Sequence, residues 1–294
     1  MKAGLPFNMV TDIIKQMTTL MPTFSKSQKK IAQAILNDYK GTAYITAAKL
    51  GAAVGVSEST VVRFAYEMGF KGYPAFQMAI QKSITSQMTS KQRIEAAEQL
   101  TADGDILKSV MTRDMEKIKQ TLENLDRNTF DSVVDLLIKA RRIYIFGSQS
   151  SASLASFFNF NLSLMFDKIR TISGTSTNEV FEQMLDIDEH DVLFAITYPR
   201  YSAKILGAAN YASSEGANII ALTDSAEAPI TTHATHVLVA PSDVSAFADS
   251  LTAPLSVLNA IIVALVVRGD QEHLRERLDK LESIWEQYNV YAKS

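Results

Sequence analysis

A chain of 294 residues, 47% hydrophobic and 21% charged, is long enough for two domains and apolar enough to fill a sizeable core. It has no cysteine, which excludes disulfides, thiol nucleophiles and Cys-ligated zinc. The formal charge of −3 divides unevenly: residues 1–90 carry 10 Lys+Arg against 4 Asp+Glu, a net of +6, and the rest carries 19 against 28, a net of −9. A basic head on an acidic body points to the head as the part that meets an anionic polymer. No run of 18 apolar residues is free of polar ones; the most apolar stretch, Ala253–Val267, contains Ser256 and Asn259 and reads as a core helix. With no membrane span and no secretory signal in view, the cytoplasm is the expected location.

In chain order, Met9–Met21 reads as an opening helix with apolar positions Val10, Ile13, Ile14 and Met17. Ser25 can cap a second helix, Ser25–Leu36, whose first turns are crowded by Lys26, Lys29 and Lys30. Those lysines suit either a solvated face or phosphate contact. Thr46–Phe70 then carries a helix-turn-helix pattern. Leu50 and Val54 share a face, and Gly51 leaves room for a close approach. Gly55 supplies a left-handed turn and Val56 plugs the corner. Ser57 caps the next helix, with Glu58 in its first turn. Val61, Phe64, Ala65 and Met68 face inward; Ser59, Thr60 and Arg63 face out, as residues that enter a major groove do. The plainer alternative is an ordinary helical hairpin, and the charge of the head argues against it. A turn-rich segment, Gly69–Pro74, leads into an amphipathic helix expected over Ala75–Ile84.

These residues resemble the N-terminal domain of RpiR-type bacterial transcriptional regulators over 25–82. The resemblance is carried by Gly55-Val56-Ser57, by Ser59-Thr60-Val61-Val62-Arg63-Phe64, and by Gly69-Phe70-Lys71-Gly72-Tyr73 with Phe76. One departure is Gln77, where the family often has Lys, a loss of one phosphate contact. A double-stranded DNA operator is the implied partner, with Lys29, Ser57, Ser59, Thr60, Arg63 and Lys71 as the expected contacts.

Thr85–Gly104 is rich in Ser, Thr and Gln and reads as a linker, which gives a head over 1–84, a linker over 85–104 and a body over 105–294. Helices are expected over Asp105–Leu125 and Phe130–Ala140. From there apolar strands alternate with helices: strands at Arg142–Phe146, Ile169–Ile172, Val192–Thr197, Asn218–Thr223 and His236–Val239, and helices over Ser151–Phe166, Ala203–Glu215, Ala246–Val267 and 271–288. The expected fold is an all-α helix-turn-helix domain followed by an α/β domain with a doubly wound, mainly parallel sheet.

The body resembles a SIS domain, the sugar-phosphate-binding module that accompanies the RpiR-type head, over about Asp131–Val267. Its motifs are Ile145-Phe146-Gly147-Ser148-Gln149-Ser150-Ser151, Ala195-Ile196-Thr197-Tyr198-Pro199-Arg200-Tyr201-Ser202 and Ala221-Leu222-Thr223-Asp224-Ser225, each following a strand. Gln149 stands where the first loop usually has a second Gly, and Pro199-Arg200 replaces Ser-Gly in the second. This Pro-Arg-Tyr-Ser version looks like a subgroup of these regulators. Ligands of such sheets bind beyond the carboxyl ends of the strands, where helix N-termini favour anions. Hydroxyls of Ser148, Ser150, Ser151, Thr197, Ser202 and Thr223, with Arg200 and Tyr201, are therefore the candidate contacts for a phosphorylated or acidic sugar. Serine and threonine at such places are as often caps and turn residues. The same module occurs in sugar isomerases, for which Glu179, Glu182, His233 and His236 are the thin candidates for proton transfer. The expectation is a regulator without catalytic residues, metal or cofactor, acting at least as a dimer because one recognition helix reads few base pairs.

Overall fold

The computed structural model of the protein describes residues 13–42, 45–77, 79–80, 105–174, 176–242 and 249–291. The chain divides into two compact units, 1–96 and 97–294. The linker expected over 85–104 lies outside the described residues, as do the start of the opening helix and the end of the helix expected to reach Ile84.

The first unit is helical: α1 Ile13–Leu20, α2 Lys26–Asn37, α3 Tyr39–Thr42, α4 Ala47–Val54 and α5 Glu58–Glu67. Ser25 closes a capping box with Gln28, and Thr46 and Ser57 cap α4 and α5 through their hydroxyls. Such caps contribute about 1 kcal/mol each. Gly55 has φ 70°, and a Cβ at Gly51 would lie 2.8 Å from the Val56 carbonyl oxygen, so both glycines are set by the turn itself. Ile31, Ile35, Leu50, Val61, Phe64 and Phe76 fill the core. Phe64 meets Phe24 and Phe76 edge to face, with centroids 5.3 and 5.6 Å apart. The helix after the turn-rich segment begins at Tyr73 and not Ala75, because Pro74 fits a first helical turn.

The second unit opens with α6 Ile106–Asn124 and α7 Arg127–Lys139. Then come β1 Ile143–Gly147, α8 Ser151–Met165, β2 Ile169–Ile172, α9 Thr177–Glu182, β3 Val192–Ile196, α10 Ala203–Ser214, β4 Asn218–Thr223, β5 His236–Val239, α11 Thr252–Arg268 and α12 Gln271–Gln287. The five strands are all parallel, in the order β2-β1-β3-β4-β5. Parallel strands need crossovers, and these cover both faces. Alternation along each strand assigns the faces. Ile143, Ile145, Phe194 and Leu222 pack with α7, α8 and α11. Tyr144, Phe146, Leu193 and Ala221 pack with α9 and α10.

Other helices also differ from their expected form: α7 begins at Arg127 and not Phe130, because the Asp126 carboxylate caps it by accepting from the Thr129 amide at 2.7 Å. The long apolar helix begins at Thr252; the start expected at Ala246 lies outside the described residues, and just before the helix Ser250, with Thr252 itself, donates its hydroxyl to the Asp114 carboxylate of α6, at 2.5 and 3.0 Å. That ties the first residues of α11 to α6. The apolar stripe of α6 is largely uncovered: Thr121 is its buried residue, and Val110 and Leu122 are 50% and 67% exposed.

Candidate nucleic-acid interface and effector site

In the first unit, the Ser57 hydroxyl accepts from the Thr60 amide at 3.3 Å and lies 2.9 Å from Ser59 Oγ and 2.8 Å from Thr60 Oγ1. The cap thus fixes the small polar residues that open α5. Ser59, Val62, Arg63 and Tyr66 fall at i, i+3, i+4 and i+7 and, with Glu58, line one shallow groove on the outer face. Arg63 is exposed, and no ion pair joins it to an acid among the described residues. Lys29 on α2 and Lys71 after α5 are also exposed. Sequence reasoning passed over Tyr66, which is 59% exposed; its signal is an aromatic on the polar face, four residues before the inward-facing Phe70. Gln77 donates to the Ile45 carbonyl at 2.9 Å, and so does the Tyr73 hydroxyl. Gln77 therefore serves as an internal brace.

In the second unit, the strand order reverses between β1 and β3, the switch point where doubly wound sheets bind ligands. Gly147 pairs with Ile196, and Ile196 with Leu222. The three expected loops therefore leave neighbouring strands at one level. A Cβ on Gly147 would lie 2.3 Å from the Ser151 carbonyl oxygen, so glycine is what lets the start of α8 fold down on the strand end. The first amides of α8 are already used: Ser151 and Ala152 donate to the carbonyls of Ser148 and Gln149 at 3.2 and 3.1 Å.

The side chains behave otherwise. Every α-helix cap named above uses its hydroxyl, but Ser150 before α8 and Ser202 before α10 make no side-chain cap bond. Among the described residues no hydrogen bond engages the hydroxyls of Ser148, Ser150, Ser151, Thr197 or Ser202. The capping explanation for these residues therefore does not account for them.

Gln149 and Arg200 have φ of 57° and 66°, left-handed values uncommon outside glycine. The backbone thus keeps a glycine-like course at both positions where the sequence departs from the SIS motif. Both side chains are exposed, and among the described residues Arg200 has no ion pair with Glu179, Glu227 or another acid. Glu179 instead closes a capping box with Ser176.

Behind the loops, Asp224 accepts from the Tyr201 hydroxyl at 2.9 Å and from Thr223 Oγ1 at 3.3 Å. Burial, then the Asp224 charge, raises the Tyr201 pKa, so its proton stays on and donates. Asp224 was not singled out from the sequence; it belongs to the third strand-end motif. Of the proton-transfer candidates, Glu179 is a cap residue, and His236 opens β5 at its amino end, away from the loops.

The model of the helix-turn-helix domain of the rpiR family matches residues 11–87, and that of the SIS domain matches 136–264. The chain is an RpiR-family transcriptional regulator. An HTH-type transcriptional regulator of Haemophilus influenzae is 28% identical over 267 residues, covering 89% of this chain and 92% of its own length. The HTH-type transcriptional regulator HexR of Pseudomonas aeruginosa is 26% identical over 286 residues, covering 92% and 95%. The solved structure of Vibrio vulnificus NanR complexed with ManNAc-6P shares the fold, with 20% identity, a TM-score of 0.59, and coverage of 96% of this chain and 100% of that one. Among the described residues of this RpiR-family chain, no single helix is long and apolar enough to cross a membrane.

Proposed function

We propose that this RpiR-family regulator binds a double-stranded DNA operator with its head, 1–84, and senses a small anionic sugar with its body, 105–294, joined by a linker over 85–104. It acts in the cytoplasm as a homo-oligomer, at least a dimer. In the head, Arg63, Ser59 and Thr60 meet base edges, and Lys29, Lys71 and Ser57 meet phosphates. In the body, the effector sits beyond β1 and β3. The observation that carries this is the set of unengaged hydroxyls at Ser148, Ser150, Ser151, Thr197 and Ser202, on neighbouring strand ends at the switch point. Five neutral donors suit a group with several acceptor oxygens, and Arg200 adds a planar charged fork suited to phosphate or carboxylate. Tyr201 and Thr223 support the site from behind through Asp224.

No catalytic role is assigned: Glu179 serves as a cap, and His236 lies at the amino end of β5. The effector must favour one arrangement of the protein over another to change operator binding, and α6 is the element that leads into the sensing domain. The test is a thermal-shift screen of the full chain against sugar phosphates, amino-sugar phosphates including ManNAc-6P, and sialic-acid-like compounds. One compound class should raise the melting temperature and change operator affinity. A screen in which no anionic sugar shifts the wild type overturns the effector reading. Turnover of hexose or pentose phosphates that is lost in Glu182→Ala overturns the non-enzymatic one.

A further inference from the structure

The shallow groove on the outer face of α5 has two apolar members, Val62 and Tyr66, one turn apart between and beyond the polar Ser59 and Arg63. Val62 is half-buried: it packs against the core of the head, and what remains open lines the groove. Tyr66 is exposed, and its hydroxyl lies beside Gly72, where an added Cβ would come within 3.7 Å of the oxygen. The lining of the groove is mostly apolar as a result. An exposed apolar residue needs no explanation by itself. These two, however, sit on the face that the basic head turns to DNA, where polar and positive groups gain most. The stripe from Ser59 to Tyr66 covers about 10 Å of helix, which fits inside the roughly 12 Å width of a major groove. Among the base-edge groups presented there, the 5-methyl of thymine is the apolar one; the others are hydrogen-bond donors and acceptors. Against a donor or acceptor, Val62 would strip water and return no bond. Against the methyl group, each apolar surface covers the other.

We propose that Val62, flanked by the Tyr66 ring, is a specificity-determining residue that reads a thymine of the operator by packing on its 5-methyl group. The inference rests on the operator-binding reading of the head and deepens it. Ser59, Thr60 and Arg63 bond to polar base edges, and Val62 supplies the apolar contact beside them.

The full chain is first used to select duplexes from a random-sequence double-stranded DNA library. In a selected duplex each thymine is then replaced singly by deoxyuridine, which removes the methyl group and keeps the base pair and its polar edges. Wild type should lose about fourfold in affinity at one thymine per copy of the recognised sequence, the scale of one buried methyl group. Val62→Ala and Tyr66→Ala should each bind the thymine duplex more weakly and no longer distinguish it from the uracil one. Each variant is compared with itself on two duplexes, so any loss of stability in the head cancels from the ratio. Wild type that is insensitive to every such replacement overturns the proposal. A thymine-to-uracil ratio that survives in Val62→Ala or in Tyr66→Ala also overturns it, leaving those side chains a structural role. A library from which wild type enriches no duplex removes the operator-binding reading itself, and the proposal with it.

Discussion

Arg200→Gly should make the protein more stable and less responsive at once. Arg200 is held at φ 66°, and a left-handed residue other than glycine costs about 1–2 kcal/mol. Glycine removes that strain but adds about 0.5–1 kcal/mol of freedom to the unfolded chain. The exposed side chain has no hydrogen bond or ion pair to a described residue, so little folded-state stabilisation is lost. The net gain is about 0.5–1 kcal/mol. For a unit of this size each kcal/mol moves the melting temperature by about 2–4 °C, so the expected rise is about 1–4 °C. Arg200→Ala keeps the strained backbone and should leave melting near wild type. Both variants lose the guanidinium and should lose the effector response while keeping operator binding and oligomer formation. Arg200→Lys should recover only part of it, since an ammonium lacks the bidentate fork. Scanning calorimetry gives the first readout and effector titration the second. An Arg200→Gly protein that melts below wild type refutes the strain argument. Wild-type effector affinity in Arg200→Ala removes the residue from the site, and the anion-binding case then falls back on Ser148, Ser151, Thr197 and Ser202.

Arg63→Ala should weaken specific operator binding by about 1–3 kcal/mol if the contact is to a base; unchanged affinity with an intact fold removes Arg63 from the interface. Gly147→Ala should destabilise the second unit by roughly 1–3 kcal/mol in a denaturant titration, because its Cβ would meet the Ser151 backbone oxygen at 2.3 Å; an unchanged midpoint means the loop yields freely. At micromolar concentration the protein should sediment as a dimer or larger, and Leu107→Glu should weaken that association, since Ile106, Leu107, Val110, Met111, Met115 and Leu122 on α6 are 50–71% exposed. A monomer with full operator affinity defeats this expectation.

The strands were the most legible part of the chain. Asn218–Thr223, His236–Val239 and Ile169–Ile172 are found at their expected limits, since short β-branched runs bounded by turns leave little latitude. The turn of the head was legible for a similar reason: Gly55 and Ser57 each have one local task, which the backbone and cap bond fulfil. What depends on distant partners was not legible. The start of α11 at Thr252 is tied to Asp114, far away in sequence, and no local sequence signal marks it. The apolar periodicity of α6 was visible, but periodicity says that a face is apolar and not what covers it. Likewise, a serine before a helix reads as a cap in sequence, and only the coordinates separate Ser57, whose hydroxyl is engaged, from Ser150 and Ser202, whose hydroxyls are not.

The departures from local rules have a pattern. Non-glycine residues with left-handed backbone among those described are Gln149, Arg200 and Asn289, and two of the three lie in the loops after β1 and β3. Tyr198, the buried hydroxyl without a partner among the described residues, is two residues from Arg200. Serines that precede helices without capping them occur in the same two loops. Each feature costs stability on its own, and a sequence selected for stability alone would remove it with one substitution: glycine at 149 or 200, phenylalanine at 198, or aspartate in place of an idle serine cap. Strain and unsatisfied polarity that gather at one end of a sheet are what a binding site imposes. That concentration supports the switch point as the effector site more strongly than any one of its hydroxyls does. It also implies that stabilising substitutions gathered by a blind thermal selection should fall at 149, 198 and 200, and should dull the response to effector as they accumulate.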